Sequence, residues 1–167
     1  MGLLKTLDPL LTADVLWVLR SMGHGDKVLV CDCNFPAYST AKFTTSGKVI
    51  VVQADLPKVV GAVLSLLPLD FFCGSAMQFM INEESGPLPA AAEEVQSQVT
   101  DVVFESIGAD ARDEILGVRP LTRFRFYDEA KTCFAVIQTS ERRPYANFIF
   151  TKGAIGPDGQ DLLPEPS

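Results

Sequence analysis

Apolar positions along the chain fall into two kinds of run. Val15, Leu16, Val18, Leu19 and Met22 recur at helical spacing behind Thr12, a good helix N-cap, and Gly23 ends the run. Val28-Leu29-Val30-Cys31 is instead continuous, as a buried strand is, and stops at Asp32. Asn34-Phe35-Pro36-Ala37 has loop chemistry, and Val49-Ile50-Val51-Val52 predicts a second buried strand after the turn-like Ser46-Gly47. Asp55 then caps a helix with Pro57 in its first turn, where the missing N–H costs nothing, and Val59, Val60, Val63, Leu64 and Leu67 form its inner face.

Further along, 76–81 reads as a strand, and 89–117, rich in Ala, Glu and Gln, as mostly helix with a break near Gly108. Arg123-Phe124-Arg125-Phe126-Tyr127 alternates polar and aromatic residues, which favours a half-buried strand. Two more strands are expected at 134–138 and 147–151, with Pro144-Tyr145-Ala146-Asn147 closing a hairpin-like turn before the last. Strands alternating with helical segments imply an α/β fold in which helices cover a sheet. Residues 155–167 combine glycines and prolines with three acids and are expected to form a flexible acidic tail that does not pack, leaving residues 1–154 as the domain.

Composition narrows the function more than the fold. A length of 167 residues suits a single domain, and 47% hydrophobic with 21% charged residues is globular rather than disordered. Fourteen Lys and Arg against 21 Asp and Glu give a net charge of -7, which argues against a nucleic-acid partner and against anionic membrane surfaces. The uncharged stretches 59–69 and 71–82 are split by Asp70, and each falls short of the roughly 20 apolar residues a bilayer span needs. With no basic, long-apolar leader pattern at Met1–Leu11, the expected address is the cytoplasm.

The sequence holds a single histidine, His24, so zinc sites built on two or three histidines are impossible within one chain. Its four cysteines, Cys31, Cys33, Cys73 and Cys133, include no C-x-x-C pair, and no metal site is expected. Cys31 and Cys33 are expected as alternate strand residues on one side, and all four as reduced thiols, mostly buried. Neither a G-x-S-x-G elbow, nor a P-loop, nor a G-x-G-x-x-G fingerprint is present. What remains is Met22-Gly23-His24-Gly25-Asp26, between a helix end and a strand start. There two glycines permit unusual dihedrals beside an imidazole able to give and take a proton; an ordinary surface histidine near a helix end is the commoner case, since G-x-G turns are frequent. Asp32, at the C-terminal end of its strand where ligands tend to bind, is either a loop cap or a group that orients a histidine or a hydroxyl. Tyr145 and Asn147 can hold sugar hydroxyls but are common turn residues too.

Taken together, Met22-Gly23-His24-Gly25-Asp26, Asp32, Asn34-Phe35-Pro36-Ala37, Leu67-Pro68-Leu69-Asp70, Arg123-Phe124, Phe126-Tyr127 and Tyr145 to Asn147 resemble the family of L-fucose mutarotases and D-ribose pyranases, over roughly residues 3–153. The resemblance implies an RbsD-like three-layer α/β/α sandwich, assembled into a ring-like homo-oligomer such as a decamer with sites between subunits. It implies interconversion of anomers or ring forms of a free monosaccharide without a cofactor. It makes His24 the acid/base and Asp32 the group that binds or orients the sugar beside it, with Asp70, Tyr127, Tyr145, Asn147 and, more weakly, Arg123 as sugar contacts.

Most of these motifs are similar to the fucose branch. Pro144-Tyr145-Ala146-Asn147 is closer to the ribose branch, and Ser140-Glu141 stands where Gly-Glu is usual. The ribose branch carries a second histidine near the position of Arg123, which a chain with one histidine cannot supply. L-Fucose is therefore the favoured substrate. D-ribose pyranase and a non-catalytic sugar-binding accessory are the alternatives.

Overall fold

The computed structural model describes residues 2–82, 86–107 and 116–164. Elements follow in the order α1 (Ala13–Ser21), β1 (Lys27–Cys31), α2 (Ala37–Ala41), β2 (Val49–Val52), α3 (Leu56–Leu64), β3 (Met77–Ile81), α4 (Ala90–Ile107), β4 (Val118–Thr122), α5 (Arg123–Ala130), β5 (Ala135–Thr139) and β6 (Asn147–Thr151). The Thr12 hydroxyl accepts from the Val15 N–H and starts α1 as expected. Asp55 occupies the N-cap of α3 with no side-chain bond, and Pro57 sits in the first turn. The expected break near Gly108 lies outside the described residues.

The six strands form one sheet in the order β2-β5-β1-β6-β3-β4. The pairs β1–β5, β2–β5 and β3–β4 are parallel, while β6 runs antiparallel to both β1 and β3. Alternate strand residues feed two separate cores, as the two-residue period demands. Val28, Val30, Met77, Phe148 and Phe150 pack with α1, α3 and α4. Leu29, Cys31, Met80 and Ile149 pack with α2 and α5 through Ala37, Ala41, Phe126 and Ala130. Helices therefore cover both faces, and the chain is a single three-layer α/β/α domain.

Four local expectations are corrected. Arg123–Ala130 is a helix, not a strand, because only Phe126 and Ala130, one turn apart, point inward while Phe124 and Arg125 face solvent. β2 is an edge strand and only half buried, with Val51 46% exposed. β1 ends at Cys31, so Cys31 is buried while Cys33 turns outward and is exposed, as is Cys73; burial holds only for Cys31 and Cys133. β5 and β6 do not pair, since β1 lies between them, so Pro144-Tyr145-Ala146-Asn147 is a crossover loop rather than a hairpin turn.

β4, which had no counterpart in the sequence reading, tolerates Pro120 because it is the other edge. Residues 155–162 fold back on themselves through Gly156 N–H to Gln160 O and Leu162 N–H to Ala154 O. Among the described residues, no helix is long and apolar enough to cross a membrane.

Candidate active site

The parallel strands all point their C-terminal ends to one edge of the sheet, and β6, running the other way, begins there. That edge is where open α/β sheets bind ligands. It brings Asp32, just past β1, against Asn147, the first residue of β6. The contact is reciprocal: the Asp32 N–H donates to Asn147 Oδ1 at 3.2 Å, and Asn147 Nδ2 donates to Asp32 Oδ2 at 2.9 Å. Asp32 Oδ1 accepts from the Asn34 N–H at 2.9 Å. Burial, with only 3% of Asp32 exposed, pushes its carboxyl above the usual range, and hydrogen bonds from Asn34, Asn147, Phe35 and Ala146 act against that rise.

Around this carboxyl lies a cavity of about 210 Å³ lined by Asp32, Asn34, Phe35, Met80, Arg123, Tyr127, Pro144, Tyr145 and Asn147. The helical form of Arg123–Ala130 explains one wall, because it makes Arg123 and Tyr127 neighbours a turn apart: Arg123 Nε donates to the Tyr127 hydroxyl at 3.2 Å. The Tyr127 ring in turn leans on Phe35, with centroids 5.6 Å apart. Polar groups, two tyrosine rings and a buried carboxylate in a small hollow suit one polar molecule well below drug size. A larger hollow of about 590 Å³ between α3, α4 and residues 155–161 holds none of the expected site residues.

His24 and Asp70 meet at the opposite edge. Gly25 has φ 84°, a conformation glycine adopts without strain, and the Gly23 N–H donates to Asp26 Oδ2 at 2.7 Å, which fixes the turn before β1. Asp70 comes alongside β6 through its N–H to Thr151 O and an isolated bridge between Leu69 and Lys152. Gly153 permits that approach, since a Cβ there would run into the Leu69 carbonyl. His24 Nε2 lies 3.1 Å from Asp70 Oδ2, and Asp70 Oδ1 accepts from the Phe72 N–H. The His24 side chain is 56% exposed and that of Asp70 only 5%. Facing a carboxylate, Nε2 is the donor in the neutral ring, which leaves Nδ1 as the acceptor. Asp70 thus orients the imidazole.

Five of the seven expected residues therefore share one cavity, and the other two form a separate pair. Between His24 and Asp32 runs the whole of β1, five residues and roughly 16 Å at about 3.3 Å per residue. The same length of β6 separates Asn147 from the Asp70 contact at Thr151. Asp32 is not beside His24 within one chain.

The sequence reading did not single out Met80, Gln96, Glu141 or Arg143, all of which hold or line the pocket. The Glu141 carboxylate accepts from the Arg142 and Arg143 N–H groups and from the Arg143 guanidinium. That fork holds its carboxyl down at about 2. Among the described residues, no group of three or more His, Cys, Asp or Glu could hold a metal ion.

Residues 5–155 match the model of the RbsD / FucU transport protein family. The fucose mutarotase of Danio rerio is 34% identical over 163 residues, covering 96% of this chain and 99% of its own. That of Bos taurus is 34% identical over 165 residues, covering 94% and 97%. The fucose mutarotase of Streptococcus pneumoniae, solved in complex with L-fucose, has a TM-score of 0.78 and 27% identity, with 92% of this chain and 100% of that one covered. The chain belongs to the RbsD / FucU family.

Proposed function

We propose that the protein is an L-fucose mutarotase, an isomerase that interconverts the α and β anomers of the free sugar by opening and closing its ring. The observation that carries this reading is the His24–Asp70 pair, an exposed imidazole oriented by a buried carboxylate. Support comes from the fucose mutarotases named above, which align over nearly the whole chain.

The chemistry asks for two proton movements. Nδ1 of His24 takes the proton of the anomeric hydroxyl, the C1–O1 bond becomes a carbonyl, and the C1–O5 bond breaks with its electrons left on the ring oxygen. That oxygen receives a proton from a neighbouring acid. The imidazolium just formed on His24 supplies it, while Asp32, its two oxygens held by Asn34 and Asn147, orients the sugar. Rotation about C1–C2 and the reverse steps then deliver either anomer. Tyr127, Tyr145 and Asn147 hold hydroxyls, and Arg123 lines the same cavity.

Because His24 and Asp32 lie at opposite ends of β1, the reading requires two chains: the imidazole of one facing the cavity of another in a homo-oligomer such as a ring. Four free cysteines suit a cytoplasmic protein. The same separation favours a second reading, sugar binding without turnover, if no such pairing of chains forms.

Magnetisation-transfer NMR at anomeric equilibrium distinguishes them. Wild type is expected to accelerate exchange of L-fucose above D-ribose and D-galactose, and His24→Ala to lose roughly 10²-fold or more of that acceleration. No acceleration with any sugar, or equal acceleration by both proteins, overturns the reading.

A further inference from the structure

Helix α4 lies outside the pocket lining, yet it sends one side chain to the pocket's frame. Gln96 Nε2 donates to the Met80 carbonyl at 2.9 Å and to the Tyr145 carbonyl at 3.1 Å, so both hydrogens of one amide are used on two backbone segments. Those segments are distant in sequence, one at the end of β3 and one in the loop before β6, and both carry side chains that line the cavity. Tyr145 has φ 60°, in the left-handed region that a bulky residue rarely adopts unless its surroundings impose it.

The loop is held on its other flank as well. Glu141 grips the Arg142 and Arg143 N–H groups, and Arg143 Nη1 reaches Gln98 Oε1 on α4 at 2.9 Å. Past Tyr145, the Ala146 N–H and the Asn147 amide turn toward Asp32. Apolar packing alone would be served by leucine or methionine at position 96; a forked donor between two carbonyls does something else.

We propose that Gln96 is a positioning residue: its amide ties the Tyr145 segment to β3, holds Tyr145 in its left-handed turn, and so aims the donors of residues 146 and 147 at Asp32. The inference rests on the reading of this cavity as the sugar site and names a residue that touches no substrate. The titratable and charged groups facing Asp32 are Cys31 behind it on β1, Arg123 and Tyr127 on α5, and Tyr145 on the loop. A change at position 96 replaces none of them and acts on Asp32 only through the Tyr145 segment that Gln96 ties down.

Gln96→Met keeps length and helix preference while deleting both donors. Loss of donors that favour the charged carboxylate raises its pKa, so the Asp32 carboxyl, followed by carbon-13 NMR, is expected to titrate about half to one pH unit higher than in wild type. The KM for L-fucose is expected to rise about threefold or more, with kcat changed less. Val99→Ala, a core truncation on the same helix, provides the comparison: it lowers Tm but leaves titration and KM at wild-type values. Gln96→Met that behaves like Val99→Ala overturns the proposal. Should Gln96→Met fail to fold, Gln96→Leu also deletes both donors without adding a charge and must move Asp32 upward too; an unmoved titration overturns the proposal there as well. If wild type accelerates no sugar, the proposed function fails, yet the Asp32 titration still decides the role of Gln96.

Discussion

Tyr145 enters the cavity from a backbone angle that few side chains accept, so the position asks for more than a ring. Removing its hydroxyl leaves the ring, the angle and the packing unchanged. Tyr145→Phe is therefore expected to lose one hydrogen bond to sugar, about 0.5–1.5 kcal/mol, or roughly 2- to 12-fold in Kd. Tm should stay near wild type; a fall in Tm with unchanged Kd would show a structural role instead. Asp32 and Asn147 were legible because each sits where a strand pattern ends or begins. Their mutual pairing was not, and it matters: the Asn147 amide is already paired with Asp32, so in the proposed site it orients that carboxylate besides meeting the sugar. Gln96 left no signal, since a glutamine among Ala and Glu on a helix resembles any solvated residue, and Glu141 stood out only as part of Ser140-Glu141, with no role attached. Only three-dimensional contact makes them frame members.

Among the elements, the limits of β2 and β6 were read to the residue; for β6 burial on the sheet writes itself into the sequence, whereas β2, a half-buried edge, was found by its β-branched run alone. α5 was missed for a physical reason: five residues of alternating polarity satisfy the strand period, while the helical signal rests on just Phe126 and Ala130. The loop between β5 and β6 is the element whose order depends most on charge. Glu141, only 4% exposed, has its carboxyl lowered from 4.5 to about 2 by the Arg143 guanidinium and the hydrogen bonds it accepts. Its unfolded form binds a proton first on acidification. The stabilisation is thus whole above about pH 4.5 and is lost as pH falls toward 2. Glu141→Gln removes the charge while Arg143 keeps its Gln98 and Glu94 contacts, and is expected to cost about 1.5–3 kcal/mol near pH 7. Measured by urea unfolding, the gap between wild type and Glu141→Gln should shrink as pH drops through that window. A gap that stays constant would mean the pair does not carry the loop.

For the whole molecule, the least legible feature proved the most consequential. Nothing in the residues of β6 announces that it inserts antiparallel between β1 and β3, and its nearness in sequence to β5 suggests a hairpin instead. That insertion carries Asn147 to the C-terminal edge and Thr151, with Asp70 beside it, to the opposite one. The sequence brings His24 and Asp32 within eight positions of each other, yet an extended strand sets those positions at opposite ends of its own length. A site that needs both groups must then be completed by a second copy through a heterologous contact, the imidazole edge of one chain against the cavity edge of the next. This makes complementation decisive. His24→Ala and Asp32→Asn are each expected to be inactive as pure oligomers, since every interface lacks one group. Dissociated, mixed in equal amounts and reassembled, about one quarter of such interfaces join an intact His24 to an intact Asp32, and activity should recover to roughly that fraction of wild type. A site contained in one chain gives no recovery at any mixing ratio, because no subunit in the mixture carries both groups.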